Sequence, residues 1–111
     1  MAGPRTSRVV VNVPAQAKRG EVIEIRTLAA HAMETGFRRT QLGESIPRDI
    51  ITRFVCLYNG VEVFRAELHP AVAANPLITF STVATESGTL EFRWTGDNGY
   101  AVTQTAPITV V

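Results

Sequence analysis

The chain has 111 residues, 45% of them hydrophobic and 19% charged, with one cysteine and a formal net charge of +1. That length suits one domain around one core, so residues 1–111 are read as a single domain, and the apolar content excludes a disordered segment. A near-zero net charge predicts no long-range attraction to nucleic acid or an anionic membrane, and a lone cysteine excludes an internal disulfide or a multi-cysteine metal site.

No apolar run approaches the ~18 residues that suggest a membrane span. Behind Met1-Ala2-Gly3-Pro4-Arg5 there is no apolar h-region, because Asn12 interrupts the valines at 9–11. No cleavable signal peptide is therefore expected, which leaves the cytoplasm or export on a partner that carries a signal.

In chain order, Arg8 to Val13 is valine-rich and ends at Pro14, which cannot donate to a ladder and suits a strand end. Lys18-Arg19-Gly20 is a turn. Glu21 to Leu28 alternates, with Ile23, Ile25 and Thr27 on one face and Glu24 and Arg26 on the other, the pattern of a half-buried strand. Residues 31–50 hold no period. A connection longer than ~12–15 residues is usually functional or disordered, so this stretch is the first candidate for a partner surface.

Phe54 to Tyr58 and Val61 to Leu68 flank Asn59-Gly60, the strongest short hairpin signal, since a type I′ turn needs positive φ at both central residues. Pro70 to Pro76 is irregular, with one helical turn conceivable at Ala71–Ala74. Leu77 to Ala84 returns to strand chemistry, and Glu86-Ser87-Gly88 turns the chain. Thr89 to Thr95 alternates most cleanly, with Leu90, Phe92 and Trp94 inward against Glu91, Arg93 and Thr95 outward. Asp97-Asn98-Gly99 closes a hairpin into Tyr100 to Thr105, and Pro107 introduces a short last strand, Ile108 to Val111. The expected fold is all-β: an immunoglobulin- or fibronectin-like antiparallel sandwich of about seven strands.

Chemistry finds little foothold in this pattern. Cys56 lies between Val55 and Leu57, where a thiol is a small core residue rather than an exposed nucleophile. His31 and His69 are far apart, and His31 with Met33 makes one soft pair, short of the three or four ligands of a metal site. No G-x-S-x-G elbow or glycine-rich phosphate loop occurs. No catalytic residue, metal ligand or cofactor site is assigned. What remains is the irregular stretch, where Phe37 stands beside Arg38 and Arg39; arginine and aromatics are enriched at protein interfaces.

The runs Gly20-Glu21-Val22-Ile23-Glu24-Ile25 and His31-Ala32-Met33-Glu34-Thr35-Gly36-Phe37-Arg38 resemble the Z subunit of the SoxYZ carrier of bacterial thiosulfate oxidation. So do Ile46-Pro47-Arg48-Asp49-Ile50-Ile51, Phe54, Tyr58-Asn59-Gly60, Pro70-Ala71, Ala74-Asn75-Pro76 and Gly88-Thr89-Leu90-Glu91-Phe92-Arg93-Trp94-Thr95. The likeness runs from about Val13 to Pro107 in order, and several ordered motifs are far more specific than any one. Two positions depart from it: Ala32 stands where the family commonly has proline, and Gly96-Asp97-Asn98-Gly99 replaces a more acidic turn.

The resemblance implies a non-catalytic subunit of a heterodimeric carrier. Its partner, a Y subunit, would hold the sulfur intermediate on a cysteine in a glycine-rich C-terminal arm. This sequence ends Ala106-Pro107-Ile108-Thr109-Val110-Val111, so the carrier cysteine is expected on the partner. Co-export with a signal-bearing Y subunit would place the chain in the periplasm. Partner contacts are expected at Glu34, Phe37, Arg38, Arg39 and Arg48, meeting either Y or visiting sulfur-oxidation enzymes. Two other readings compete: a generic immunoglobulin-like interaction module of another secreted complex, and a small redox or metal protein built on Cys56, His31 and Met33.

Overall fold

The computed structural model describes residues 8–111, so the N-terminal stretch read for export lies outside the described residues. Eight strands follow in order: β1 (Arg8–Asn12), β2 (Gln16–Ala17), β3 (Val22–Ala30), β4 (Ile51–Tyr58), β5 (Val61–Glu67), β6 (Leu77–Val83), β7 (Gly88–Gly96) and β8 (Ala101–Val110). They form two sheets, ordered β1-β3-β6 and β2-β8-β7-β4-β5. Every pairing is antiparallel except that of β2 with β8. The all-β sandwich expected from alternation is the architecture found.

Each alternating segment buries the face its sequence marks. On β3, Ile23, Ile25, Thr27 and Ala29 are buried while Val22, Glu24, Arg26 and Leu28 face outward. On β7, Leu90, Phe92 and Trp94 are fully buried. Phe54 on β4 sits at the centre of the core, with ring centroids of Trp94, Phe64, Phe80 and Phe92 between 5.1 and 6.2 Å away. Phe64 of β5 and Phe80 of β6 stack face to face at 4.3 Å and join the two sheets along one side. Aromatic pairs of this kind add to the burial of the rings themselves.

Asn59 (φ 47°) and Gly60 (φ 82°) make the two-residue turn, with Tyr58 directly opposite Val61. The two final strands expected around Pro107 are one continuous strand, β8. Pro107 pairs with Thr89. Thr109 and Val111, which share its direction, donate their amides to Ala15 and Ala17 on the side of β2. The missing N–H of Pro107 therefore points toward that sheet edge, and no β7 hydrogen bond is lost. Residues 71–74 form no helix; Val72 closes one turn by donating to the His69 carbonyl.

Trp94→Ala empties the largest fully buried site and is expected to cost about 3–5 kcal/mol of stability in denaturant unfolding. A loss under about 1 kcal/mol would contradict the assignment of the ring to the core.

Candidate functional site

The stretch between β3 and β4 is an ordered arm rather than a shapeless loop. Its two limbs run antiparallel. Glu34 and Asp49 exchange both backbone hydrogen bonds (2.9 and 2.8 Å), Ile46 donates to the Arg38 carbonyl, and Arg39 bridges to Ser45. The tip is closed by Thr40, whose amide donates to the Glu44 carbonyl and whose carbonyl accepts from Gly43. Gly36 has φ +85°, and a Cβ there would stand 3.0 Å from Cβ of Arg48, so both conformation and packing call for glycine.

The root of the arm is plugged into the core. Met33 adopts φ 53° and is buried, its sulfur accepting the Ile51 amide at 3.3 Å. Nδ1 of buried His31 accepts the Met33 amide at 2.9 Å, its ring meets Tyr100 edge to face, and Nε2 lies 3.9 Å from the Asp49 carboxylate. Because Nδ1 is an acceptor, the ring hydrogen resides on Nε2 when the imidazole is neutral. The imidazole–thioether pair of the redox reading is thus committed to backbone groups. Among the described residues no three His, Cys, Asp or Glu side chains converge as metal ligands.

A second tie crosses from the turn after β7. Arg48 grips Asp97 through two hydrogen bonds, Nε to Oδ2 at 2.8 Å and Nη2 to Oδ1 at 2.9 Å. The same carboxylate accepts the Ile50 amide at 3.2 Å, and the Asp97 amide donates to the Ile50 carbonyl at 2.9 Å. Hydrogen bonds from Arg48 hold the Asp97 carboxyl below its ordinary value of 3.8 and push the guanidinium further up. Farther out, Glu34 receives Arg38 at both carboxylate oxygens, which lowers its own pKa.

The five residues expected at a partner surface all belong to this arm, in different roles. Arg38 pairs with Glu34, Arg39 donates to the Gly43 carbonyl at 3.0 Å, and Arg48 clamps the root. Lys18 and Arg19, which precede β3, sit beyond its opposite end, where Arg19 donates to the Val111 carbonyl. Phe37 is different: the residue is 81% exposed. Leu42, at the tip, is 87% exposed and was missed; its only sequence signal is an apolar side chain before Gly43 in a polar run.

Cys56 faces the core of β4 and is fully buried. Burial pushes its thiol pKa up to about 12, so the nucleophilic thiolate is suppressed at neutral pH.

A family model described as "Sulphur oxidation protein SoxZ" matches residues 11–107. The chain belongs to the SoxZ family. That membership gives it a role in the sulfur oxidation system. No curated protein matches the sequence. Among solved structures, the superoxide reductase (neelaredoxin) of Ignicoccus hospitalis superposes with a TM-score of 0.73 at 17% identity, over 93% of this chain and 80% of that one. A putative superoxide reductase from Thermotoga maritima gives 0.70 at 19% identity, over 93% and 85%. The sulfur carrier protein SoxY from Chlorobium limicola f thiosulfatophilum gives 0.65 at 9%, over 93% and 78%. At such identities the likeness is one of fold.

Asp97 has a depressed pKa, so its contribution to the arm is whole above pH 3.8 and is lost as the pH falls through the lower folded value. In an NMR pH titration the Ile50 amide should shift in that acid range. Arg48→Ala should bring the Ile50 transition to higher pH with little change in melting. A transition unmoved by that substitution would contradict the clamp.

Proposed function

We propose that this chain is the non-catalytic subunit of a two-subunit sulfur carrier in thiosulfate oxidation. It scaffolds a SoxY-type partner whose cysteine bears the intermediate, and residues 1–111 act as one unit. The observation that carries the reading is the state of the single thiol in a SoxZ-family chain. Cys56 is sealed between the sheets, with its pKa raised to about 12. A sulfur carrier needs a thiolate that can enter the sites of other enzymes, and a strand residue inside a packed core cannot travel.

The arm supplies the recognition surface in this account. Phe37 and Leu42 are large apolar side chains held out in solvent by a braced backbone, so little entropy is lost when they are covered. Glu34, Arg38, Arg39 and Arg48 serve that surface mainly by fixing the arm's shape, with Arg38 and Arg39 at its polar rim. The visiting enzymes of the pathway are its ligands. The compartment is the periplasm, reached by co-export with the signal-bearing partner. No helix among the described residues is long and apolar enough to cross a membrane.

Two outcomes test the reading. In a reconstituted thiosulfate-oxidising system, Cys56→Ala should support turnover close to that of the unmodified complex; loss of sulfur loading without loss of folding would put the carrier thiol on this chain. Phe37→Ala combined with Leu42→Ala should leave melting nearly unchanged and weaken capture by a pathway enzyme by about tenfold or more. Undiminished capture would remove the arm from the docking surface.

A further inference from the structure

Among the described residues four sheet edges end this sandwich, and three carry devices that discourage pairing with another chain. β2 is two residues long. β5 carries Glu62, Arg65 and Glu67 and a register shift that leaves Val63 as an extra, bulged residue. On β1, described from Arg8 to Asn12, Arg8 puts a charge on the edge. Short length, charge and bulges are the usual protection of an edge.

The fourth edge has none of these. β6 reads Leu77-Ile78-Thr79-Phe80-Ser81-Thr82-Val83, seven residues without charge, proline, glycine or bulge, paired in unbroken register with β3 alone. The amide of Ala29 bonds the Pro76 carbonyl, and Ala84 donates to the Glu21 carbonyl, so even-numbered positions turn their backbone groups toward β3. The N–H and C=O groups of Leu77, Thr79, Ser81 and Val83 therefore point to the open side. Among the described residues no strand covers them.

Two features beside this edge suit an added strand. Leu77 and Val83 are 68% and 45% exposed and stand at its two ends, each next to an exposed apolar partner on β3, Leu28 and Val22. Between β6 and the rim of the other sheet lies a groove of about 400 Å³ lined by Tyr58, Val61, Val63, Thr82 and Val83. A strand laid along β6 would place alternate side chains beside Leu77 and Val83 and drop the intervening ones toward the groove. That is the arrangement in which backbone bonds give affinity and pockets give specificity.

We propose that the β6 edge is the docking site for a strand of the SoxY-type subunit, joining a sheet of each subunit into one continuous sheet. The assignment rests on the two-subunit reading above. It is favoured by the fold of that partner class, since a SoxY sulfur carrier superposes on 93% of this chain and 78% of its own length. A sandwich of the same fold ends in strand edges with the same hand of twist, which a continuous sheet requires.

The test is hydrogen exchange read by NMR on the isolated chain and on its complex with the SoxY-type subunit of the same host. Amides of Leu77, Thr79, Ser81 and Val83 should exchange fast in the isolated chain and at least about tenfold slower in the complex, while Ile78, Phe80 and Thr82 are protected in both. Ser81→Pro removes one outward donor without touching the β3 ladder, and Ser81→Lys charges the edge. Each should fold and weaken the partner's affinity by about tenfold or more, whereas Thr103→Lys on the opposite sheet should not. A complex that forms with the four amides still fast overturns the edge assignment alone. No complex at all overturns the two-subunit reading with it. Protection that appears in the isolated chain as its concentration rises identifies a second copy as the occupant and overturns the SoxY assignment.

Discussion

The carboxylate of Asp97 is the constraint on which the rest of the candidate site depends. It sits on the turn after β7, yet it receives both arms of the Arg48 guanidinium and the Ile50 amide across 47–49 positions of sequence. A charged, bidentate bond of this geometry is among the stronger hydrogen bonds available to a protein, and its fork fixes direction as well as distance. Gly96 is part of the same junction: a Cβ there would lie 2.3 Å from the Ile50 carbonyl, so glycine lets the turn and the arm's root close on each other. With the root fixed here and by Met33 in the core, the antiparallel limbs can carry Phe37 and Leu42 outward on an ordered backbone.

The two broad faces of the sandwich differ in kind. On the outer face of the larger sheet, Arg53, Arg65 and Arg93 are each paired with a neighbouring glutamate, Glu67, Glu62 and Glu91. Such exposed pairs add little stability, but they make this face wet and self-neutralised around half-buried Val55 and Leu57. The smaller sheet instead exposes Val10, Leu28 and Leu77 in one cross-strand row and Val22 with Val83 in another. Exposed apolar side chains thus stand in rows on the small sheet and at Phe37 and Leu42 of the arm that leaves the end of β3, with Val61 and Val63 on the β5 rim of the larger sheet. In the proposed reading the long main-chain edge suits one lasting partner and the small apolar tip suits transient ones.

The strands were legible because their information is local. Alternation on β3 and β7 follows from the two-residue repeat of a strand, and Asn59-Gly60 reports its turn through its own backbone preference. The arm was not legible beyond its length, because its order comes from contacts distant in sequence: backbone pairing of Glu34 with Asp49, the Met33 sulfur at Ile51, and Arg48 at Asp97. In the sequence Asp97 looks only like a turn former, and Arg48 like any surface arginine. Pro107 misled in the opposite direction, since its place in a continuous strand depends on which edge its missing amide faces. The expected contact residues fell on one element, but its three arginines are already engaged within this chain, Arg38 and Arg39 by the arm itself and Arg48 by Asp97 on the turn after β7.

The central claim is that the chain carries no sulfur itself and exists in complex with a subunit that does. Native mass spectrometry of complexes isolated through this chain from its own host addresses it directly. The account predicts a roughly equimolar partner with a glycine-flanked cysteine near its C-terminus, with sulfur-bearing adducts on that cysteine and none on Cys56. A chain isolated alone, or adducts on Cys56, would contradict it.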